Sequence, residues 1–223
     1  MRLRNFGSAV FHRALSEPVR QPASLFEEEF RVFAVSEART PLPRDPILFY
    51  GSSSIRLWET LASDFTGLPV VNRGFGGCTL AECVQQVDRL VVPVAPRAIV
   101  FYAGDNDLDQ GVAPEQIHAH FQEFAARVDD RLGVLPLVFI SIKVSPCRAA
   151  NAANILRANA LIRETVERWP NARYVDVCSL MLDAAGKVRR EYFCEDWLHL
   201  SRAGYELWTR EVRACLDAMG LLS

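Results

Sequence analysis

Three consecutive serines follow an apolar run directly, in the segment Gly51-Ser52-Ser53-Ser54. A serine on a tight turn between a strand and a helix can point its hydroxyl into a crevice and attack a carbonyl carbon. The N–H groups of such a turn can also bind the oxyanion that then develops. The segment is equally typical of an ordinary serine-rich helix cap. By itself, the turn therefore favours a structural role over a nucleophile.

A base and an acid suited to such a serine lie three residues apart, at Asp196 and His199. Within one turn, the carboxylate can bind one ring nitrogen, fix the tautomer and leave the other nitrogen as a base. The other histidines are placed less well. His12 precedes the predicted sheet, and His118 and His120 lie two positions apart on a predicted helix. A structural capping turn remains the alternative for the segment that ends at His199.

Two further segments offer donors to an oxyanion. Residues 72–79 contain three glycines before a predicted capped helix, which leaves the backbone open to close approach. Residues 103–107 follow the third apolar run, and the amide of Asn106 is a neutral hydrogen-bond donor. A nucleophile, a base, an orienting acid and oxyanion donors are thus all available, which together indicate acyl transfer.

An acidic run at Asp105, Asp107 and Asp109 raises a second hypothesis, a metal site. The run lacks the glycine and the distal glutamate of a calcium-binding loop, so the pattern does not favour calcium. A metal- or phosphate-dependent enzyme that uses Asp105, Asp107 and Asp176 is the corresponding alternative. We expect neither a metal nor another cofactor.

The elements that must position these residues alternate along the chain. Strand-length apolar runs are separated by amphipathic helical patterns, and this alternation predicts an α/β fold with a parallel sheet between two helical layers. A three-layer α/β/α, flavodoxin-like five-stranded sheet places its ligand site beyond the carboxyl ends of the strands. The predicted strands are Ile47–Tyr50, Val70–Asn72, Ala98–Tyr102, Leu137–Ile142 and Arg173–Val177.

The proline-containing stretch from Thr40 to Pro46 divides the chain. Residues 1–44 form an N-terminal extension, with one predicted helix from Leu25 to Arg39 that packs on the body. Residues 45–223 form the main domain. The length of 223 residues suits this arrangement better than two small domains.

The composition of the chain limits which binding partners and which cellular compartment we expect. The 25 basic and 27 acidic residues give a net charge of −2 without a basic stripe, so we expect no nucleic-acid partner. No apolar stretch reaches membrane-spanning length, so we expect no membrane insertion. The N-terminus lacks the pattern of a signal peptide, and the six cysteines are scattered, which indicates reduced thiols in a cytoplasmic protein. The tryptophan and phenylalanine content is compatible with a homo-oligomer.

The four segments, in this order, resemble the four blocks of the SGNH hydrolase family, which is also called GDSL. The resemblance implies that Ser53 is the nucleophile, Asp196 the orienting acid and His199 the base. It also implies an oxyanion hole formed by the backbone N–H groups of Ser53 and Gly77 and the side chain of Asn106. The blocks span residues 49–199, and the first forty or so residues carry no part of the resemblance.

The first block departs from the family signature at one position. Ser52 occupies the place where the signature usually has an aspartate, so the hydrogen bonds that support the turn must differ. That aspartate is not the acid of the triad, so the chemistry does not depend on it. The G-x-S-x-G elbow of α/β-hydrolases is absent because Ile55 occupies the position of the second glycine.

The resemblance implies a serine esterase that cleaves a small-molecule ester with a short acyl or acetyl group. A carbohydrate O-deacetylase and a lysophospholipase of the same family remain open. A non-catalytic protein that binds an acyl group or a sugar is the alternative from another class. The candidate walls of the substrate pocket are Trp58, Arg73, Phe75, Lys143, Arg148 and Trp197.

Overall fold

A computed structural model describes residues 26–222 of the chain. The predictions about His12, about a signal peptide and about a helix start at Leu25 concern residues outside this range. All strands and helices discussed below belong to the described part.

The sheet consists of five parallel strands in the order β2-β1-β3-β4-β5. This is the flavodoxin-like order, so the predicted α/β class and five-stranded topology are confirmed. Each strand lies within two residues of its predicted bounds. The strands are β1 (Ile47–Gly51), β2 (Val70–Gly74), β3 (Ala98–Tyr102), β4 (Leu137–Ile140) and β5 (Ala172–Val175).

Helices occupy the amphipathic stretches between the strands, and four short helices follow strands or turns. Thr79 caps its helix with a complete capping box, as the sequence predicts. No helix in residues 26–222 is long and apolar enough to cross a membrane. The helices are α1 (Glu27–Arg39), α2 (Ser53–Arg56), α3 (Leu61–Asp64), α4 (Leu80–Gln85), α5 (Asp105–Asp109), α6 (Pro114–Leu132), α7 (Ala152–Arg168), α8 (Val177–Leu180) and α9 (Arg202–Ala218).

Alternating side chains along the strands build two hydrophobic cores. On β1, Leu48 and Tyr50 pack into the core that contains buried residues of α1, α4, α6 and α7. Ile47 and Phe49 point to the opposite face, where α9 covers the sheet. Because successive side chains of a strand face opposite ways, a strand covered on both faces must be apolar throughout. The three-layer α/β/α architecture is therefore confirmed.

The carboxyl ends of the three strands β2, β1 and β3 lie side by side. Gly51 pairs with Gly74 on one side and with Tyr102 on the other. Gly51 has a φ of 133°, and a Cβ there would lie 1.8 Å from the carbonyl oxygen of Tyr102. Only glycine fits this position. The serine turn, the glycine-rich loop and the segment around Asn106 thus leave the same edge of the sheet as neighbours.

Candidate active site

Ser53 is the first residue of α2, and its hydroxyl faces His199. Ser53 Oγ lies 3.2 Å from Nε2 of His199. The preceding Ser52 has an extended backbone, and its N–H donates to the Tyr102 carbonyl at 3.0 Å, which extends the strand pairing by one residue. The chain then turns into the helix at once, so Ser53 is held on the strand-to-helix turn that the sequence predicts.

The three serines have separate environments. Ser52 and Ser54 are 0% and 1% exposed, and neither hydroxyl has a hydrogen-bond partner among the described residues. Ser53 is partly exposed. Of the three, Ser53 alone has a hydroxyl within hydrogen-bond distance of a histidine.

Asp196 and His199 form a compact turn before α9. His199 Nδ1 lies 2.6 Å from Oδ2 of Asp196, and Asp196 Oδ1 accepts the N–H groups of Leu198 and His199 at 2.9 Å each. The turn is closed where the N–H of Cys194 donates to the His199 carbonyl at 2.8 Å. With Nδ1 donating to the carboxylate, Nε2 is left as an acceptor toward Ser53, which is the arrangement of a general base.

The electrostatics of Asp196 keep its carboxylate charged. Desolvation acts to raise the pKa of Asp196, but hydrogen bonds from the Leu198 and His199 N–H groups and from the His199 ring outweigh it. The net effect lowers the pKa of Asp196 from 3.8 to about 2. The carboxylate is therefore ionised throughout the range in which a histidine titrates, and it can stabilise an imidazolium.

Among the described residues, the three N–H groups that the sequence predicts as oxyanion donors can be examined for existing partners. The backbone N–H groups of Ser53 and Gly77 donate no hydrogen bond to any described residue. The Asn106 amide nitrogen donates to the Cys78 carbonyl at 2.9 Å, and its oxygen accepts from Nη1 of Arg148 at 3.0 Å. A guanidinium only donates and a carbonyl only accepts, so these partners fix which way the amide points. The second N–H of the Asn106 amide donates to no residue in the described part of the chain.

A buried ion-pair network supports the segment that carries Asn106. Lys143 Nζ lies 2.9 Å from Oδ2 of Asp105 and also donates to the Tyr102 hydroxyl at 3.1 Å. Arg148 lies 3.3 Å from the same Asp105 oxygen and 3.2 Å from Asp109. Burial acts to lower the pKa of Lys143, but the neighbouring Asp105 outweighs it and raises that pKa above its ordinary value. The pair is therefore ionised.

Removal of the Lys143 charge is expected to destabilise the fold. The Lys143 and Asp105 side chains are 1% and 6% exposed. Breaking a buried pair typically costs 3–5 kcal/mol, and since Arg148 stays beside Asp105, we expect about 3 kcal/mol for Lys143→Met. Urea unfolding measures this. The other lysine, Lys187, is exposed, so Lys187→Met should change the unfolding free energy by less than about 0.5 kcal/mol. Equal, small changes in both variants would contradict a stabilising role for the pair.

The three aspartates that the alternative hypothesis assigns to a metal site each bind a different protein group. Asp105 pairs with Lys143, and both oxygens of Asp107 accept the N–H of Leu80. Asp176 caps α8 by accepting from Ser179 N–H. Within residues 26–222, no group of three or more histidine, cysteine, aspartate or glutamate side chains is placed to hold a metal ion.

Four of the six residues expected to form pocket walls are buried in the interior. Trp58 and Phe75 are buried aromatic core residues, and Lys143 is buried with Asp105. Arg73 is 6% exposed and pairs with Glu37 of α1. These residues lie near the strand ends in sequence, but their side chains point into the packed interior.

Arg148 and Trp197 lie beside the candidate site. Arg148 contacts Asn106 directly. Trp197 lies within the turn from Asp196 to His199, is 40% exposed and adopts a left-handed backbone with a φ of 56°. The guanidinium of Arg190 lies over its ring at 4.9 Å. Trp197 is therefore a partly exposed aromatic residue within the turn that carries His199.

The comparison with protein families gives a match over most of the chain. The family described as GDSL-like lipase/acylhydrolase matches residues 44–207. The chain belongs to this family. A search of curated proteins finds no match.

Solved structures with the same fold include several hydrolases. A GDSL-like lipase from Bacteroides thetaiotaomicron is 17% identical, with a TM-score of 0.73 over 85% of this chain and 98% of that one. A lipase/acylhydrolase from Enterococcus faecalis is 16% identical, with a TM-score of 0.65 over 79% and 97%. A catalytic mutant of an acetylxylan esterase from Geobacillus stearothermophilus is 14% identical, with a TM-score of 0.64 over 76% and 92%. At these identities the likeness concerns the fold.

Proposed function

We propose that this protein is a serine esterase that hydrolyses carboxylic esters with a short acyl or acetyl group. The observation that carries the proposal is the chain of contacts from Ser53 Oγ to His199 Nε2 at 3.2 Å and from His199 Nδ1 to Asp196 Oδ2 at 2.6 Å. Membership of the acylhydrolase family supports the same class of reaction.

In the first half-reaction, Ser53 Oγ attacks the ester carbonyl while His199 Nε2 accepts the hydroxyl proton. The negative charge that develops on the carbonyl oxygen is held by the N–H groups of Ser53, Gly77 and Asn106. Collapse of the tetrahedral intermediate breaks the bond to the alcohol, which leaves with the proton from His199. Asp196 remains ionised and stabilises the imidazolium between these two transfers.

In the second half-reaction, water gives a proton to His199 and attacks the acyl carbon. The oxyanion is held by the same donors. The bond from Ser53 Oγ to the acyl carbon then breaks, and His199 returns the proton to Ser53 Oγ. The acid is released and the free enzyme is restored.

Covalent labelling tests the proposed nucleophile. A fluorophosphonate should phosphonylate the wild-type protein at a single site, which peptide mass spectrometry should place on Ser53. Labelling should be absent in Ser53→Ala and retained in Ser52→Ala and Ser54→Ala, because these two hydroxyls are buried without contact to His199. A label on Ser52 or Ser54 would move the assignment along the turn. An unlabelled but ligand-binding protein would support the non-catalytic alternative.

A carbohydrate O-deacetylase is the second candidate, favoured by the partly exposed Trp197 ring in the turn that carries His199. An aromatic ring offers apolar contact to a sugar ring, while the guanidinium of Arg190, 4.9 Å from the centre of the Trp197 ring, offers hydrogen-bond donors. The acetylxylan esterase among the similar structures supports testing this substrate class. Rates should be compared on p-nitrophenyl esters of increasing chain length, acetylated xylo-oligosaccharides and a lysophospholipid. Preference for the acetylated sugars that is lost in Trp197→Ala would support the deacetylase, and preference for the lysophospholipid would contradict it.

A further inference from the structure

The N-terminal helix α1 precedes the family match, which begins at residue 44, yet it packs against the glycine-rich loop. Phe26 and Phe30 are buried and meet Phe75 edge to face, with ring centroids 4.9 and 5.4 Å apart. Arg89 lies over the Phe30 ring at 4.6 Å and binds Glu27 with both of its terminal nitrogens. The first turns of α1 are thus anchored at the base of the loop that carries Gly77.

Glu29 of α1 joins two parts of the candidate site. Its Oε2 accepts the N–H of Gly76 at 2.7 Å, and its Oε1 lies 3.3 Å from Nε of Arg56. Arg56 ends the short helix that Ser53 begins. A hydrogen bond to a charged acceptor is about twice as strong as one between neutral groups. One carboxylate therefore connects the helix of the candidate nucleophile to the loop of the candidate oxyanion donor.

Each neighbour of Gly77 in the chain has one backbone group held by a hydrogen bond. Gly76 donates to Glu29, and the Cys78 carbonyl accepts from the Asn106 amide at 2.9 Å. A Cβ on Gly76 would lie 3.0 Å from Arg56 and 3.1 Å from Glu29, so the loop backbone lies directly on this ion pair. Gly77 itself has a φ of 73° and no Cβ that could restrict it. The direction of its N–H therefore depends on the two anchored neighbours.

We infer that Glu29 is a positioning residue, which holds the Gly77 N–H in the direction required to bind the oxyanion. The inference rests on the proposed function for the role of Gly77. Oxyanion donors accelerate a reaction because they are oriented before charge develops, so a donor that moves freely loses much of its effect. The N-terminal extension then contributes to the active site and does not serve only to cover the sheet.

Steady-state kinetics on a short p-nitrophenyl ester test this inference with three variants. Loss of a whole oxyanion donor typically costs 100- to 1,000-fold, so a donor that is present but less ordered should cost about tenfold. Glu29→Ala should therefore lower kcat roughly tenfold and leave KM within about twofold. Glu29→Gln keeps an oxygen that accepts from Gly76 and should stay within about threefold of wild type, although it loses the charge that faces Arg56. Glu28→Ala, at an exposed position of the same helix, should match wild type.

The pattern across the variants separates positioning from simple stabilisation. If Glu29 acted only through its ion pair with Arg56, Glu29→Ala and Glu29→Gln would lose the same activity, and the inference would be overturned. A rise in KM without a fall in kcat would also overturn it, because that pattern reports lost ground-state binding.

Amide hydrogen exchange gives a readout that does not depend on activity. In Glu29→Ala, the peptide that covers residues 75–79 should exchange roughly tenfold faster, because an amide that loses its hydrogen bond is no longer protected. Glu28→Ala should leave that exchange unchanged. Unchanged exchange in Glu29→Ala would overturn the inference whether or not the protein hydrolyses esters. A wild type that neither hydrolyses esters nor reacts with a fluorophosphonate would instead refute the proposed function, while the exchange result would still decide whether Glu29 orders the loop.

Discussion

Ser53→Ala is expected to lower kcat for a short p-nitrophenyl ester by roughly 10⁵-fold, and His199→Ala is expected to do the same. The double variant should be no slower than either single variant. The reason is the 3.2 Å contact between the two side chains, which makes them one unit that transfers one proton. Once either member is absent, the other has no partner with which to act. The measurement is kcat at saturating substrate, after subtraction of the uncatalysed rate.

The two flanking serines provide matched controls. Ser52 and Ser54 are buried, and their hydroxyls have no hydrogen-bond partner in the part of the chain that the structure describes. Loss of an unpaired buried hydroxyl leaves no partner unsatisfied, so Ser52→Ala and Ser54→Ala should keep near wild-type activity. Wild-type activity in Ser53→Ala would rule out this residue as the nucleophile. Losses that add up in the double variant would show that Ser53 and His199 act in separate steps.

Gly51→Ala is expected to destabilise the protein by at least about 4 kcal/mol, which is the range that point substitutions reach only through severe steric or packing damage. Two effects combine at this residue. Its φ of 133° is unfavourable for a residue with a Cβ, and that Cβ would lie 1.8 Å from the Tyr102 carbonyl oxygen on the adjacent strand. The backbone of Tyr102 cannot retreat easily because it belongs to the central strand β3, which pairs on both sides. Urea unfolding, or the loss of soluble protein on expression, reports the effect.

Gly67→Ala is the matched control for the conformational part of this effect. Gly67 has a φ of 88°, and a Cβ there would meet no atom within 4 Å. A left-handed backbone costs an alanine about 1–2 kcal/mol, so Gly67→Ala should destabilise by that amount alone. The difference between the two variants isolates the steric clash. A similar loss in both would mean that β1 and β3 can separate at Gly51 with little cost.

The sequence predicts the positions of the strands well, because β1 and β3 are apolar at nearly every residue and are buried on both faces. The residues that follow such strands are few and polar, so position and chemistry point to the serine turn and to Asn106 as candidates, and the resemblance to the family selects Ser53 among the three serines. The candidate acid and base could be proposed from the sequence because they are close together in the chain. Asp196 and His199 lie within one turn, and their contact depends only on that turn.

The surroundings of the site could not be predicted in the same way. Trp58 follows the serine turn closely, but its ring packs between Phe49 and Tyr205, which is 147 residues further along the chain. Lys143 follows a strand, as a ligand-binding residue would, but its ammonium group forms a buried ion pair with Asp105. The contact of Glu29 with Gly76 spans 47 residues and carries no sequence pattern. Side-chain direction and long-range pairing decide these cases, and neither follows from the order of residues.

The turn from Asp196 to His199 has a mechanical consequence. The three hydrogen bonds of the Asp196 carboxylate all come from within the turn, so the position of Asp196 relative to His199 is set locally. Ser53 lies on a separate segment, the serine turn. A hydrogen bond joins α9, which follows His199, to the serine turn: the Tyr205 hydroxyl donates to the Ser54 carbonyl at 3.0 Å. The packing of α9 against the serine turn therefore influences the distance between Ser53 Oγ and His199 Nε2.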